Sequence, residues 1–230
     1  MSGALLVITD GRLEYLVQSV ASIEQNLTGD ITERVMFDDS GDDDHRNQIY
    51  DMFPGWSHIN NGPRQGFGGA IQSAWQYLRT CTTSRWVAHL EADFIYPEPV
   101  NLDQLVHVLD TQPHLAQVAL LRQAWNEAEK AAGGIIQQHP DDYEDLIGRD
   151  GARWVEHRRF FTTNPSVYRR SLLTVGWPDG PNSEGIFTHQ LLSRGTPETP
   201  GDLIRFAFWG ATTDPPKVHH IGVDRAGTGY

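Results

Sequence analysis

Glu91 and Asp93 stand one residue apart, with Ala92 between them, at the end of the apolar run Trp86–Leu90. Two hard oxygen donors at this spacing can meet one divalent cation, and Mg2+ or Mn2+ is held by a few carboxylates completed by phosphate oxygens. The same pair also suits a capped strand end with solvated acids, because short acidic motifs recur by chance. Pro97 and Pro99 forbid continuation of the strand. The acids therefore fall at the carboxyl edge of a sheet, where open α/β sheets bind ligands.

The elements that must position such a pair read as alternating strands and helices. Ala4–Thr9 is a continuous apolar strand, and Leu13–Asn26 carries apolar residues at helical spacing. Arg34–Phe37 predicts a second strand, Asp43–Phe53 a helix closed by Pro54-Gly55, and Trp56–Asn60 a third strand. A glycine-rich turn, Gly62–Gly69, leads to a helix over Ala70–Arg79, then Trp86–Leu90, a helix over Leu102–Leu109 and a strand at Gln117–Leu121. That order predicts an α/β fold with a mostly parallel sheet and helices on both faces. The second half is less regular: helical spacing at Ala124–Lys130, Ser166–Val175 and Ser183–Arg194, an antiparallel strand at Trp154–Thr163, and late strands at Leu203–Trp209 and Val218–Ile221. The glycine-rich tail, Asp224–Tyr230, reads as a flexible segment or lid.

Of the 230 residues, 39% are hydrophobic and 21% charged, an ordinary soluble globular composition with enough chain for a sizeable core. There is no apolar run of membrane-spanning length and no basic region before the first apolar segment, so neither membrane insertion nor a signal peptide is expected. One cysteine allows no internal disulfide and makes a cytoplasmic setting the expectation. A net charge of −12 argues against broad nucleic-acid binding, although six arginines between Arg149 and Arg170 form a local basic stretch. That stretch reads as a solvated face or as a phosphate surface.

Four successive strand ends carry polar groups to one edge: Thr9-Asp10-Gly11-Arg12, Asp38-Asp39-Ser40-Gly41, Arg64-Gln65-Gly66-Phe67-Gly68-Gly69-Ala70, and Glu91-Ala92-Asp93. Their order, with Ser183-Glu184-Gly185-Ile186-Phe187 and the terminal Val218-His219-His220-Ile221-Gly222, resembles a family-2-type, GT-A-fold glycosyltransferase. The resemblance spans nearly the whole chain, each motif is loose, and the order and spacing of six together carry it. Three departures stand out: Glu91 where the metal (DXD) motif has Asp, Gln65 where the glycine turn tends to have Asn, and Gly185 where a second acid follows the first.

The resemblance implies a Rossmann-like GT-A sheet with a smaller antiparallel acceptor-side portion, residues 1–121 forming the nucleotide-sugar half and 122–230 the acceptor and catalytic half of one domain. It implies a nucleotide-sugar donor, UDP-sugar favoured over GDP-sugar, and Mn2+ or Mg2+. Asp93, Glu91 and His220 would hold the metal; His220 is preferred over His219 by its distance from Gly222. Asp39 and Asp38 would accept hydrogen bonds from the base, although Asp38-Asp39-Ser40-Gly41 also suits a turn with a helix cap. Thr9 and Asp10 would hold base or ribose. Gly66 and Gly68 would let backbone approach the ligand. Ala92 lies between the metal acids, and Arg12, Arg64, Arg158 and above all Arg225 are candidate phosphate partners. Glu184 would be the general base of an inverting transfer, or merely a favourably placed acid in a helix's first turn. Trp177 and Trp209 suit either sugar stacking or the core. The acceptor is open between protein, glycan and modified nucleic acid, as is the oligomeric state. The rivals are a non-catalytic nucleotide-sugar or glycan-binding protein and a sugar nucleotidyltransferase, against which the short, glycine-poor first turn counts.

Overall fold

The computed structural model describes residues 2–60 and 62–222. Arg225 and the glycine-rich tail lie outside the described residues. Strand β1 (Gly3–Thr9) is buried along its whole length, as a central strand covered on both faces requires. Helix α1 (Leu13–Asn26) has the bounds its periodicity predicts and buries Leu16, Val20 and Ile23 on one stripe. There follow β2 (Leu27–Thr28), β3 (Ile31–Asp38), α2 (Asp43–Met52), β4 (Ser57–Asn60), α3 (Gly66–Cys81) and β5 (Trp86–Glu91). Next come β6 (Phe94–Ile95), β7 (Val100–Asn101), α4 (Leu102–Thr111) and β8 (Leu115–Ala119). The remainder comprises α5 (Glu127–Ala132), α6 (Ile135–Gln138), β9 (Tyr143–Ile147), β10 (Arg153–His157), β11 (Ser166–Arg169), α7 (Ser183–Arg194), β12 (Arg205–Trp209) and β13 (His219–His220).

Nine of these strands form one sheet in the order β4-β3-β1-β5-β11-β8-β12-β10-β9. The β4-β3-β1-β5 half is parallel throughout, and β8 pairs in parallel with β12. Antiparallel pairs close the far edge, where β10 lies between β12 and β9. Alternate residues of β1 feed opposite cores: Leu5 and Val7 pack with residues of α1 and α4, and Ala4 and Leu6 with residues of α3 and α7. Short β6 and β13 pair beside the carboxyl edge of the parallel half.

The structure corrects several boundaries. Stretch 166–175, whose spacing predicts a helix, is strand β11 followed by a 3-10 turn over Arg170–Thr174. β11 runs antiparallel between β5 and β8, and its Val167 and Tyr168 enter opposite core clusters. Two-sided burial there overrides the local period. The strand predicted over Trp154–Thr163 stops at His157, and helix α5 starts at Glu127, where the Asn126 side chain accepts from the Glu129 amide. Helix α3 begins a full turn before the predicted Ala70. There Asp39 accepts from the backbone N–H groups of Gln65 at 2.7 Å and Gly66 at 2.9 Å, one on each carboxylate oxygen. An acid at the end of β3 thus satisfies two orphan amides at a helix start, and Gly66 takes the left-handed φ of +76° that the turn needs.

Loss of that cap has a measurable cost. Asp39→Ala is expected to destabilise the chain by about 2 kcal/mol, since it removes two hydrogen bonds to a charged acceptor. In calorimetry this corresponds to a Tm lower by roughly 4–8 °C for a chain of this size; an unchanged Tm would show that the carboxylate does not hold α3.

Candidate active site

Parallel register brings the acidic strand ends together. Thr9 lies opposite Asp38 across β1 and β3, and Ile8 lies opposite Glu91 across β1 and β5. At this edge a cavity of about 180 Å3 is lined by Asp10, Arg12, Phe67, Glu91, Ala92, Asp93, Trp125, His220 and Gly222. Arg12 is its organising cation. Its Nε donates to both oxygens of Asp10 at 2.9 and 2.8 Å, and its Nη2 donates to Asp93 Oδ2 at 2.8 Å.

Asp93 receives a second partner from the end of the chain. His220 Nε2 lies 3.2 Å from the same Oδ2. The histidine is fixed from several sides. Its ring meets Phe94 at 4.7 Å and Trp125 edge-on at 4.1 Å, and its backbone N–H and carbonyl pair with the Gln123 side chain at 3.0 and 2.9 Å. The Ile221 N–H donates to the Asp93 carbonyl at 2.8 Å, so the terminal segment is stitched over this acid. Gly222 must be small: a Cβ there would sit 2.3 Å from Asp93 Oδ2. Burial opposes ionisation of Asp93, but His220 and Arg12 outweigh it and hold the carboxyl below the usual range. Glu91 is pushed the other way. Desolvation, then Asp93, then Glu184 raise its carboxyl well above the ordinary value.

Beyond Glu91 the site opens into a wider cleft of about 550 Å3 that shares Phe67, Glu91, Trp125 and His220 with the first cavity. Glu184, in the first turn of α7, lines this side. Its Oε1 accepts from Thr163 twice, from the N–H at 2.7 Å and from the hydroxyl at 2.9 Å. Oε2 has no hydrogen-bond partner among the described residues, so the carboxylate is oriented with one oxygen left for a ligand. A side chain at Gly185 would meet Asn182 at 2.7 Å, which leaves no room for a second acid unless Asn182 moves.

The donor set suits a divalent cation completed by a ligand. Asp93 and His220 would hold it, and in its absence Asp93 Oδ2 and His220 Nε2 form a hydrogen bond at 3.2 Å. Arg12 Nη2 shares that oxygen and would have to withdraw, with Asp10 still holding its Nε. Among the described residues no three His, Cys, Asp or Glu side chains converge on one point, so phosphate oxygens and water would fill the other positions.

No protein-family profile matches the chain, and a search of curated proteins finds no relative. Solved structures do match. Residues 1-349 of S. aureus TarS, in complex with UDP-GlcNAc, superpose with a TM-score of 0.61 over 98% of this chain and 62% of that one, at 15% identity. GalNAc-T7 with UDP, GalNAc and Mn2+ gives 0.63 over 96% of this chain and 44% of that one, at 10% identity. The mannosyltransferase PcManGT from Pyrobaculum calidifontis, with GDP-Man and Mn2+, gives 0.54 over 93% and 58%, at 15% identity. The fold is GT-A. The chain spans less than two thirds of each of these proteins, and at such identities the likeness is one of architecture.

On the GT-A frame the remaining sequence candidates can be placed. Asp38 is buried with its side chain turned toward α2: Oδ1 accepts from the Ser40 N–H at 2.9 Å, and Oδ2 lies 3.5 Å from Arg46 Nε. Asp39 is taken up with the start of α3, as described. Thr9 is fully buried, and Arg64 Nη2 donates to the Asp10 carbonyl at 3.3 Å. Gly68 approaches Ser183 at the start of α7. Arg158 donates to the Gly201 carbonyl and lines neither cavity. Trp177 is core, packed edge-on to Trp75 at 5.3 Å, and Trp209 lines a different groove. The basic stretch is dispersed: Arg159 pairs with Asp142, Arg169 donates to carbonyls at the end of α4, and Arg170 to those of Arg79 and Thr82 at the end of α3. Residue type alone does not mark Trp125, Gln123 or Thr163, because each acts through a partner distant in sequence, and Phe67 stands out only as part of the glycine-rich turn.

Proposed function

We propose that the chain transfers a sugar from a nucleoside-diphosphate sugar to an acceptor hydroxyl or other nucleophile, with a divalent cation and with inversion at the anomeric carbon. The observation that carries this reading is the pair of confluent cavities. One holds Asp10, Arg12, Asp93 and His220, the other Glu184, and Glu91, Phe67 and Trp125 border both. In this reading residues 1–121 supply most of the donor side and 122–230 most of the acceptor side. Donor and acceptor would meet where the cavities join.

The diphosphate would lie against Arg12, which exchanges Asp93 for phosphate oxygens while Asp10 keeps the guanidinium in place. Asp93 and His220 would hold Mn2+ or Mg2+, and Glu91 lines the same cavity without converging on that pair. Bound there, the ion supplies Lewis-acid stabilisation of charge on the leaving phosphates. Asp10 lines the donor cavity and borders the region available to base and ribose. Glu184 Oε2 takes the acceptor's proton as the acceptor attacks the anomeric carbon opposite the phosphate, while Thr163 holds Oε1 still. Trp125 and Phe67 offer apolar faces on which a sugar ring can rest. The neighbours' ligands favour a UDP-sugar, with a GDP-sugar as the other candidate. No helix among the described residues is long and apolar enough to cross a membrane.

A thermal-shift screen of UDP and GDP, each with and without Mn2+, tests donor binding. A nucleotide at about 100 times its Kd stabilises the native state by about 2.7 kcal/mol. The expected result is a rise of several degrees for one nucleoside diphosphate only when Mn2+ is present. No rise with either nucleotide would contradict the donor site.

A further inference from the structure

A second cavity, of about 450 Å3, lies at the opposite edge of the sheet, where β5 begins rather than ends. The length of β5 alone separates the two places by roughly 17 Å. Arg79, Ser84, Arg85, Arg169, Arg170 and Ser171 line it. In a chain of net charge −12 such a concentration of guanidinium groups does not follow from general composition.

The charges are unevenly committed. Asp110 and Glu198 also line the cavity and act on Arg169, whose Nη1 donates to the Leu115 carbonyl at 2.9 Å. Arg170 Nη2 takes the Arg79 and Thr82 carbonyls at 2.7 and 2.8 Å, which neutralises the electronegative end of α3 facing the cavity. Arg79 and Arg85 are exposed, and neither they nor Arg170 has a carboxylate partner among the described residues.

Residues that line the cavity carry buried donors with nothing to donate to. Ser84 is 1% exposed and its hydroxyl has no hydrogen-bond partner; the same holds for the buried Ser171 hydroxyl and Arg170 Nε. Buried polar groups are ordinarily satisfied, and three unpartnered donors sit on residues that line this one cavity, within reach of a ligand that accepts hydrogen bonds once the side chains turn toward it. The backbone around them is clamped: Arg85 N–H donates to Ser2, and Arg170 N–H to Arg85, both at 2.9 Å. A rim of exposed arginines, backed by unpartnered donors of Ser84, Ser171 and Arg170, matches a tetrahedral oxyanion, whose oxygens accept several charge-assisted hydrogen bonds at once.

We propose that this cavity is a second binding site, separate from the donor cavity, for a phosphate group carried either by free phosphate or by a small phosphate monoester. Calorimetric titration of the full chain with inorganic phosphate, and separately with glycerol 3-phosphate, against chloride at equal ionic strength tests it. Saturable phosphate binding is expected, weakened at least tenfold in the Arg79→Gln/Arg85→Gln double variant and several-fold in Ser84→Ala, and retained in Asp93→Ala. Binding of the monoester as well assigns the site to phosphate esters, and its exclusion assigns it to the free ion. The two arginines are exposed, so the double variant should keep the wild-type Tm. Absence of saturable binding, binding unchanged in the double variant, or binding lost in Asp93→Ala would overturn the proposal. None of these outcomes depends on glycosyl transfer.

Discussion

Asp93→Ala is expected to lower kcat/KM for a sugar donor by about a thousandfold, with most of the loss in the metal-dependent part of the rate. The reason is geometric. Asp93 Oδ2 is where the Arg12 guanidinium and the His220 imidazole meet, at 2.8 and 3.2 Å. A cation at this point would face the phosphates as they gain charge. Two unit charges about 4 Å apart at an effective dielectric near 20 interact by ~4 kcal/mol, and each 1.36 kcal/mol is a factor of about ten in rate. The variant should still fold around the site. Arg12 keeps both Asp10 contacts, and His220 keeps its aromatic neighbours and its Gln123 pairing. Steady-state kinetics with varied Mn2+ reads the effect, and a rate within twofold of wild type would remove Asp93 from the donor site.

The second large effect belongs to Glu184. Glu184→Gln should leave donor affinity unchanged and reduce transfer by roughly two to four orders of magnitude, the range for loss of a general base. The substitution is conservative where structure is concerned. Both bonds from Thr163 end on Oε1, and a glutamine carbonyl can accept them as well. What disappears is a basic oxygen at Oε2. A split between donor Kd, held constant, and kcat, strongly lowered, is the signature. Unchanged transfer would exclude Glu184 as the base, and absence of transfer by the wild-type chain as well would favour a binding protein with the GT-A fold.

The parallel half of the sheet was legible because its signals are local. Continuous apolar runs such as Ala4–Thr9 read as two-sided strands, and α1 and α7 run over the residues their periodicity gives. The acids at the strand ends were legible for the same reason, since a parallel register places consecutive strand ends side by side. The acceptor side was not. Thr163 acts on a glutamate 21 residues away, and Gln123 on a histidine 97 residues away. No short-range pattern records such pairings. β11 is not legible because a four-residue strand buried on both faces shows no alternation, and its last residue Arg169 and the following Arg170 read as a solvated face or a phosphate surface although they serve two helix ends. Asp39 suits a base acceptor or a turn with a helix cap in sequence, and which helix it holds, the distant start of α3, is visible only in three dimensions.

An Asp93 cavity that activates a nucleoside-diphosphate sugar must release the nucleoside diphosphate. The most direct test is release of nucleoside diphosphate from a panel of UDP- and GDP-sugars by the wild-type chain, with Mn2+ and again with EDTA. The predicted result is release from at least one donor that requires the metal and disappears in Asp93→Ala. No metal-dependent release from any donor would contradict the account.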